Sequence, residues 1–169
     1  MGFRYIQSLY DYPDGIAHIA VPEIGEKQLQ KMAGDTCGTD DLVAIYIPEG
    51  TGEAYEPGDK RGRIVGGVKL LRMPRGRVMR DYFYKDWDGT MRWPLGWPCK
   101  AVYAPEISQC RYLRGLVEEL WGPHLFQRYV ARFQQGPFEI EHAMADKLDK
   151  FFAHFPKVTE RRSNTIGRK

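Results

Sequence analysis

DDLVAIYIPEGTGEAYEPGDKRGRIVGGVKLL, residues 40–71, is the stretch whose reading decides the fold. Residues 42–47 and 64–71 are apolar, rich in β-branched side chains, and short enough to be strands. Pro48 ends the first run, and four glycines and Pro57 fill the polar link over residues 49–63. Such a link reads as a polar loop. Gly66-Gly67 inside the second run marks a bulge or a close approach of another backbone or a ligand.

Outward from this pair, the pattern continues on both sides. Residues 73–80 (MPRGRVMR) read as a basic loop, and residues 80–85 and 99–104 as further strands. Upstream, residues 3–9 read as a strand. Tyr12-Pro13-Asp14-Gly15 has the chemistry of a tight turn, and residues 16–21 form the next strand. Pro22 opens a helix with Glu23 and Glu26 at its positive end. Ile24, Leu29 and Met32 supply its apolar face, and Gly34 is the expected stop. Residues 108–121 have helical spacing, with Tyr112, Leu113, Leu116, Val117 and Leu120 as the stripe. Residues 126–133 leave helix and strand both open. Residues 138–152 form a second amphipathic helix, with Ile140, Met144, Leu148, Phe151 and Phe152 in register. The count is about six strands and three helices, most strand links being too short for crossovers. The fold class is therefore α+β, a small mixed β-barrel with flanking helices. Residues 1–156 form one domain, and the basic residues 157–169 a mobile tail.

With 169 residues, 43% hydrophobic and 28% charged, the chain has the composition of an ordinary globular domain. No apolar run is long enough to span a bilayer, and the N-terminus lacks the apolar stretch of a signal peptide. It begins Met-Gly, but Ile6 stands where myristoylation needs serine or threonine. Cys37, Cys99 and Cys110 have no metal-ligand spacing, and an odd count of free thiols points to a reducing, cytoplasmic setting. Charge is uneven. Residues 1–60 hold four Lys/Arg against eleven Asp/Glu, net −7; residues 61–169 hold 21 against 11, net +10. A polyanion-facing side would produce that asymmetry, and so would two halves that interleave.

Aromatic residues concentrate beside the basic loop. Tyr82, Tyr84, Trp87, Trp93, Trp97 and Tyr103 fall in one short span. Stacking a base on such a ring is worth about 1–3 kcal/mol. Asp86 and Asp88 supply acceptors for an exocyclic amine. The same rings equally suit a small barrel's core. Trp93 and Trp97 each precede proline, which holds them extended. Tyr46, at a strand end, is a further candidate pocket wall. Arg63, Arg72, Arg75, Arg77 and Arg80 are the candidate phosphate contacts, and each also suits a solvated loop.

Other motifs fall away. Glu49-Gly50-Thr51-Gly52-Glu53 is no phosphate loop: Gly58-Asp59-Lys60-Arg61 leads into a strand, and two acids would repel phosphate. His142 and Asp146 share a helix face without a third ligand, so no metal site is read. His18, His124 and His154 are scattered, and Cys99 lies inside a strand. No nucleophile constellation and no cofactor motif is visible.

The strand Asp41-Leu42-Val43-Ala44-Ile45-Tyr46 and the strand Gly62-Arg63-Ile64-Val65-Gly66-Gly67-Val68-Lys69-Leu70 resemble the core of the PUA-like superfamily, and within it the EVE domain. Arg92-Trp93-Pro94 leading into Cys99-Lys100-Ala101-Val102-Tyr103 looks like the family's third core strand, and Gly136-Pro137-Phe138 like its C-terminal closure. The resemblance implies a small barrel, no catalysis, and an aromatic pocket for a flipped, modified base of DNA or RNA. YTH domains, similar in fold, read methylated adenine this way. The N-terminal Trp-rich strand and the Asn-bearing helix usual in EVE domains are missing here. The similar ASCH domains include hydrolases, which makes a small enzyme with Lys69, Glu49 or Asp86 as acid–base groups the alternative. A small-molecule or protein-interaction module is a third reading.

Overall fold

The computed structural model describes residues 2–9, 18–49, 60–84 and 93–158, with backbone alone for 81–84 and 134–135. In chain order the elements are β1 (Phe3–Ser8), β2 (His18–Val21), α1 (Glu26–Thr36), β3 (Leu42–Tyr46), β4 (Ile64–Leu70), β5 (Met79–Tyr84), β6 (Trp93–Tyr103), α2 (Leu113–Trp121), α3 (Phe126–Ala131), β7 (Phe138–Glu139) and α4 (His142–Phe152). They form a mixed, curled sheet in the order β2-β6-β4-β3-β1-β7, with β5 also paired to β6. The β1–β3 pair is parallel, with α1 in its crossover; the remaining strand pairs are antiparallel.

Alternate residues of the central strands feed two cores. Tyr5, Val43 and Ile45 pack with Leu29, Met32 and Ala33 of α1. Ile6, Ala44 and Tyr46 pack with Leu113 and Leu116 of α2 and Met144 and Leu148 of α4. Residues 43–47 are all buried, which is why the run reads as unbroken apolar sequence: a strand covered on both faces has no polar side to show. Gly67 serves close approach. A Cβ there would stand 2.7 Å from the Phe3 ring, so the glycine makes room for a core side chain.

Strand β6 organises the other end of the sheet. His18 pairs with Pro98, whose carbonyl accepts a hydrogen bond from Leu71 on the other edge. Along that edge β4 pairs with residues 99–103, and Met79 of β5 pairs with Gly96. Thus β4 and β5 run along one edge of β6, and residues 72–78 leave the ladder between them.

Several expectations need correction. Residues 138–140 are not helical. Phe138 and Glu139 pair with Ile6 and Tyr5, and the Ile140 amide donates to the Arg4 carbonyl at 3.0 Å. Glu141 is still extended, so α4 begins only at His142. The preceding turn is set by Gly136, at φ +100°. Helix α2 begins at Leu113, because Ile107–Gln109 is a separate 3-10 turn; Tyr112, expected in the buried stripe, is half exposed. Gly34 does not stop α1. It sits on an open face, and the helix runs on to Thr36, whose Oγ1 donates to the Met32 carbonyl at 2.8 Å. β6 starts at Trp93, six residues before the expected 99. Residues 126–133, where the pattern left helix and strand both open, are helical over 126–131. The turn at Tyr12–Gly15 and residues 159–169 of the expected tail lie outside the described residues. No helix among the described residues is long and apolar enough to cross a membrane.

Candidate functional site

The excursion over residues 72–78 is anchored, not draped. Met73 and Val78 pack their apolar side chains against the core that contains α1. Between them, the Gly76 amide donates to the Met73 carbonyl at 3.0 Å, closing a turn. Pro74 stands at that turn's second position and Gly76 at its fourth, where type I turns favour them. Gly76 has φ +57°, a conformation other residues adopt only with strain. A side-chain amide then fastens the loop to α1. Gln30 Nε2 donates to the Gly76 carbonyl at 2.8 Å, and Gln30 Oε1 accepts from the Val78 amide at 3.1 Å. These two backbone groups flank Arg77 and face one way, so Gln30 pairs with that residue much as a neighbouring strand would.

The held loop and α1 enclose an open trough of about 570 Å³, lined by Arg75, Arg77, Val78, Arg80, Glu26 and Gln30 with Gly76. The three arginines are exposed. Arg80 is committed: its guanidinium meets Glu23 at 2.7 Å and Glu26 at 3.2 Å. Arg75 and Arg77 have no ion-pair or hydrogen-bond partner among the described residues. The trough therefore offers two uncommitted guanidiniums and one buttressed by carboxylates at its helix end. Guanidinium forks match phosphate oxygens geometrically, and the charge assistance strengthens each bond.

Trp93 lies next along the sheet. Arg80 pairs with Leu95 and Tyr84 pairs with Trp93 in the β5–β6 ladder. Strand alternation puts Trp93 on the face of Leu95 and Trp97, and it is half-buried. Trp87 and Asp86 lie outside the described residues, as does the Tyr84 side chain.

Three expected site residues have structural jobs instead. Trp97 is 2% exposed, and its Nε1 donates to the Leu71 carbonyl at 2.7 Å. It fills the α1-side core and fixes the start of the excursion, so it forms no pocket wall. Tyr46 is 1% exposed and stacks on Phe133 at 4.9 Å, with burial pushing its hydroxyl up to about 12. Arg63 is no phosphate ligand. Its Nη1 donates to the carbonyls of Ile107 and Cys110, both at 2.9 Å, and the guanidinium lies 4.4 Å over the Tyr112 ring. It staples the segment before α2 to β4. Arg72 is exposed but lies against Gly38 at the end of α1, away from the trough lining.

Of the acid–base groups of the enzymatic reading, Lys69 and Glu49 are kept apart. Lys69 pairs with Asp40 at 3.5 Å, just before β3, and Glu49 with Arg114 at 2.9 Å, just beyond its other end. No group of three or more His, Cys, Asp or Glu able to hold a metal ion exists among the described residues. Burial raises all three thiols, Cys99 to about 12 and Cys110 to about 11, so none is a poised nucleophile.

A second cavity, about 400 Å³, lies between β1, β7 and α4 and is lined by Arg4, Asp41, Glu139, His142, Asp146 and Asp149, among others. Its charged groups mostly serve the fold. Asp149 accepts the Phe3 amide at 2.8 Å, and Arg4 reaches Asp41 and Glu139 at 3.4 Å each. Beside it, the Tyr5 hydroxyl meets Asp35 at 2.5 Å and Lys31 at 2.9 Å. Hydrogen bonds from Tyr5 and then Lys31 hold the Asp35 carboxyl below its ordinary range, while burial and then Asp35 push Tyr5 up.

Reasoning from sequence missed Glu23, Glu26 and Gln30 as parts of the site. Glu26 and Gln30 are four apart on one helix, a spacing that places them on a common face. Only knowing which loop lies across that face gives them a role. No family model matches the chain, and no curated protein matches it.

Proposed function

We propose that the chain is a nucleic-acid-binding domain of PUA-like, EVE-type fold that performs no catalysis. Arg75 and Arg77 take phosphate in the trough beside α1, with Arg80 held by Glu23 and Glu26 at its helix end. A flipped base, methylated or otherwise modified, stacks at the adjoining aromatic end of the β5–β6 ladder, where Trp93 stands and where Tyr84, Asp86 and Trp87 cluster in sequence. The observation that carries this reading is the convergence of three arginines on one trough, held by Gln30, with Arg80 paired to Leu95 two residues along β6 from a half-buried tryptophan. The curled mixed sheet with flanking helices is compatible with the fold assignment.

The test is a titration of the whole chain with single-stranded DNA and RNA oligonucleotides, with and without a methylated base, followed by fluorescence anisotropy. Binding at low salt should weaken as salt rises, with log K falling by about 0.7 per log unit of salt for each phosphate neutralised. Arg75→Ala with Arg77→Ala should make that slope shallower. Trp93→Ala should weaken binding without changing the slope, because a stacked ring releases no counterions. Absence of binding to every oligonucleotide at low salt would end the proposal.

A further inference from the structure

The trough's charge layout says more about which phosphate it takes. This step rests on the nucleic-acid reading above and narrows it. The trough, about 570 Å³, falls within the size range of a small-ligand site. At its helix end stand Glu23 and Glu26, closing on Arg80 at 2.7 and 3.2 Å. These carboxylates neutralise Arg80 and repel any phosphate that would continue past it. The two remaining guanidiniums, Arg75 and Arg77, are exposed and uncommitted among the described residues. An internal phosphodiester carries one negative charge. A terminal phosphomonoester carries about 1.5 to 2 at neutral pH and offers three strong acceptor oxygens. Two free cations ahead of an anionic fence match the second better than the first.

The arrangement is also preorganised. The Met73–Gly76 turn, the apolar anchors Met73 and Val78, and the two Gln30 hydrogen bonds fix the backbone on both sides of Arg77 before any ligand arrives. Less ordering then remains to be done on binding. We infer that the trough is a terminal-phosphate site: it takes the phosphomonoester of a nucleic-acid strand end or of a free nucleotide, with Arg75 and Arg77 as the paired donors and the Glu23–Arg80–Glu26 cluster as the stop that excludes a continuing chain.

The experiment uses the whole chain and sets of oligonucleotides identical except at the end: 5′-phosphate, 3′-phosphate or hydroxyl. A free nucleoside monophosphate is a further arm, all compared by competition anisotropy at low salt. A phosphorylated end should bind about tenfold more tightly than a hydroxyl end, the worth of a charge-assisted contact. Arg75→Ala with Arg77→Ala should erase that ratio while leaving thermal unfolding unchanged, since both side chains are exposed. Arg128→Ala, a solvent-facing arginine on α3, should leave the ratio intact. Competition by the monophosphate as strong as by the phosphorylated strand assigns the site to free nucleotides; weaker competition assigns it to strand ends. Equal affinity for phosphate and hydroxyl ends overturns this inference while the nucleic-acid reading stands. Failure of every oligonucleotide to bind overturns both.

Discussion

Gly67 shows how much one missing side chain settles. It sits in β4 opposite Tyr103, and the Phe3 ring occupies the space a Cβ would need. Gly67→Ala should therefore destabilise the fold by about 1–3 kcal/mol, the usual cost of overpacking a core. The midpoint of urea unfolding checks this, and an unchanged midpoint would show that Phe3 swings aside freely. The Gly-Gly pair was legible in the sequence as a sign of close approach; what approaches was not, because Phe3 comes from a strand two positions away in the sheet. The same limit governs the rings and the arginines. Trp97 and Trp93 share a sequence context, each followed by proline, yet one is buried with its indole N–H on the Leu71 carbonyl and the other is half exposed. Arg63 and Arg77 are equally basic on paper. One guanidinium is consumed by two backbone carbonyls, the other by nothing described. Partner geometry, set by tertiary contact, separates members of such pairs.

At the scale of elements, local chemistry foretold most strands, since residues 42–46 and 64–70 are apolar on both faces. Residues 138–140 misled because Phe138 and Ile140 extend the spacing of α4 backwards; strand pairing with β1 won over that periodicity. Helices α2 and α4 are joined by a surface network in which Glu119 accepts from Arg111 and from Lys147, the latter at 2.8 Å. These hydrogen bonds, Arg111 first, hold the Glu119 carboxyl down at about 2. A carboxyl held below its unfolded value of about 4.3 stabilises the fold above that pH and ceases to do so as pH falls through the folded value. Glu119→Gln should accordingly lower the unfolding temperature slightly at pH 7. The gap from wild type should close between about pH 4.5 and 2 and shrink in high salt, since the group is 44% exposed. A gap that persists at pH 2 would show that shape, not charge, ties the two helices.

Taken whole, the molecule keeps several acidic hydroxyls and thiols protonated by burial. Cys110 is raised to about 11, and Cys99 and Tyr46 to about 12. Unfolded, such groups lose protons near about 8.5 for Cys and 10 for Tyr. A group whose folded value is raised stabilises fully below the unfolded value and progressively less as pH climbs to the folded one. Urea midpoints should therefore fall steadily from about pH 8.5 to 12. The double variant Cys99→Ala, Cys110→Ala should lose the earliest part of that decline; a decline of identical shape would assign it to other groups. The two-faced sheet that buries these residues was only half visible in the sequence: the apolar runs announce burial, but not that α1 and the pair α2 and α4 cover opposite sides. The handover along β6 has its own bearing on how such a chain can vary. Leu71 and Met79 rejoin the same edge at Pro98 and Gly96, two positions apart. The segment thus leaves and rejoins one strand edge, so its exposed tip around Arg75 is free to be exchanged for another recognition surface while Met73 and Val78 stay on the core and the strands on either side keep their neighbours.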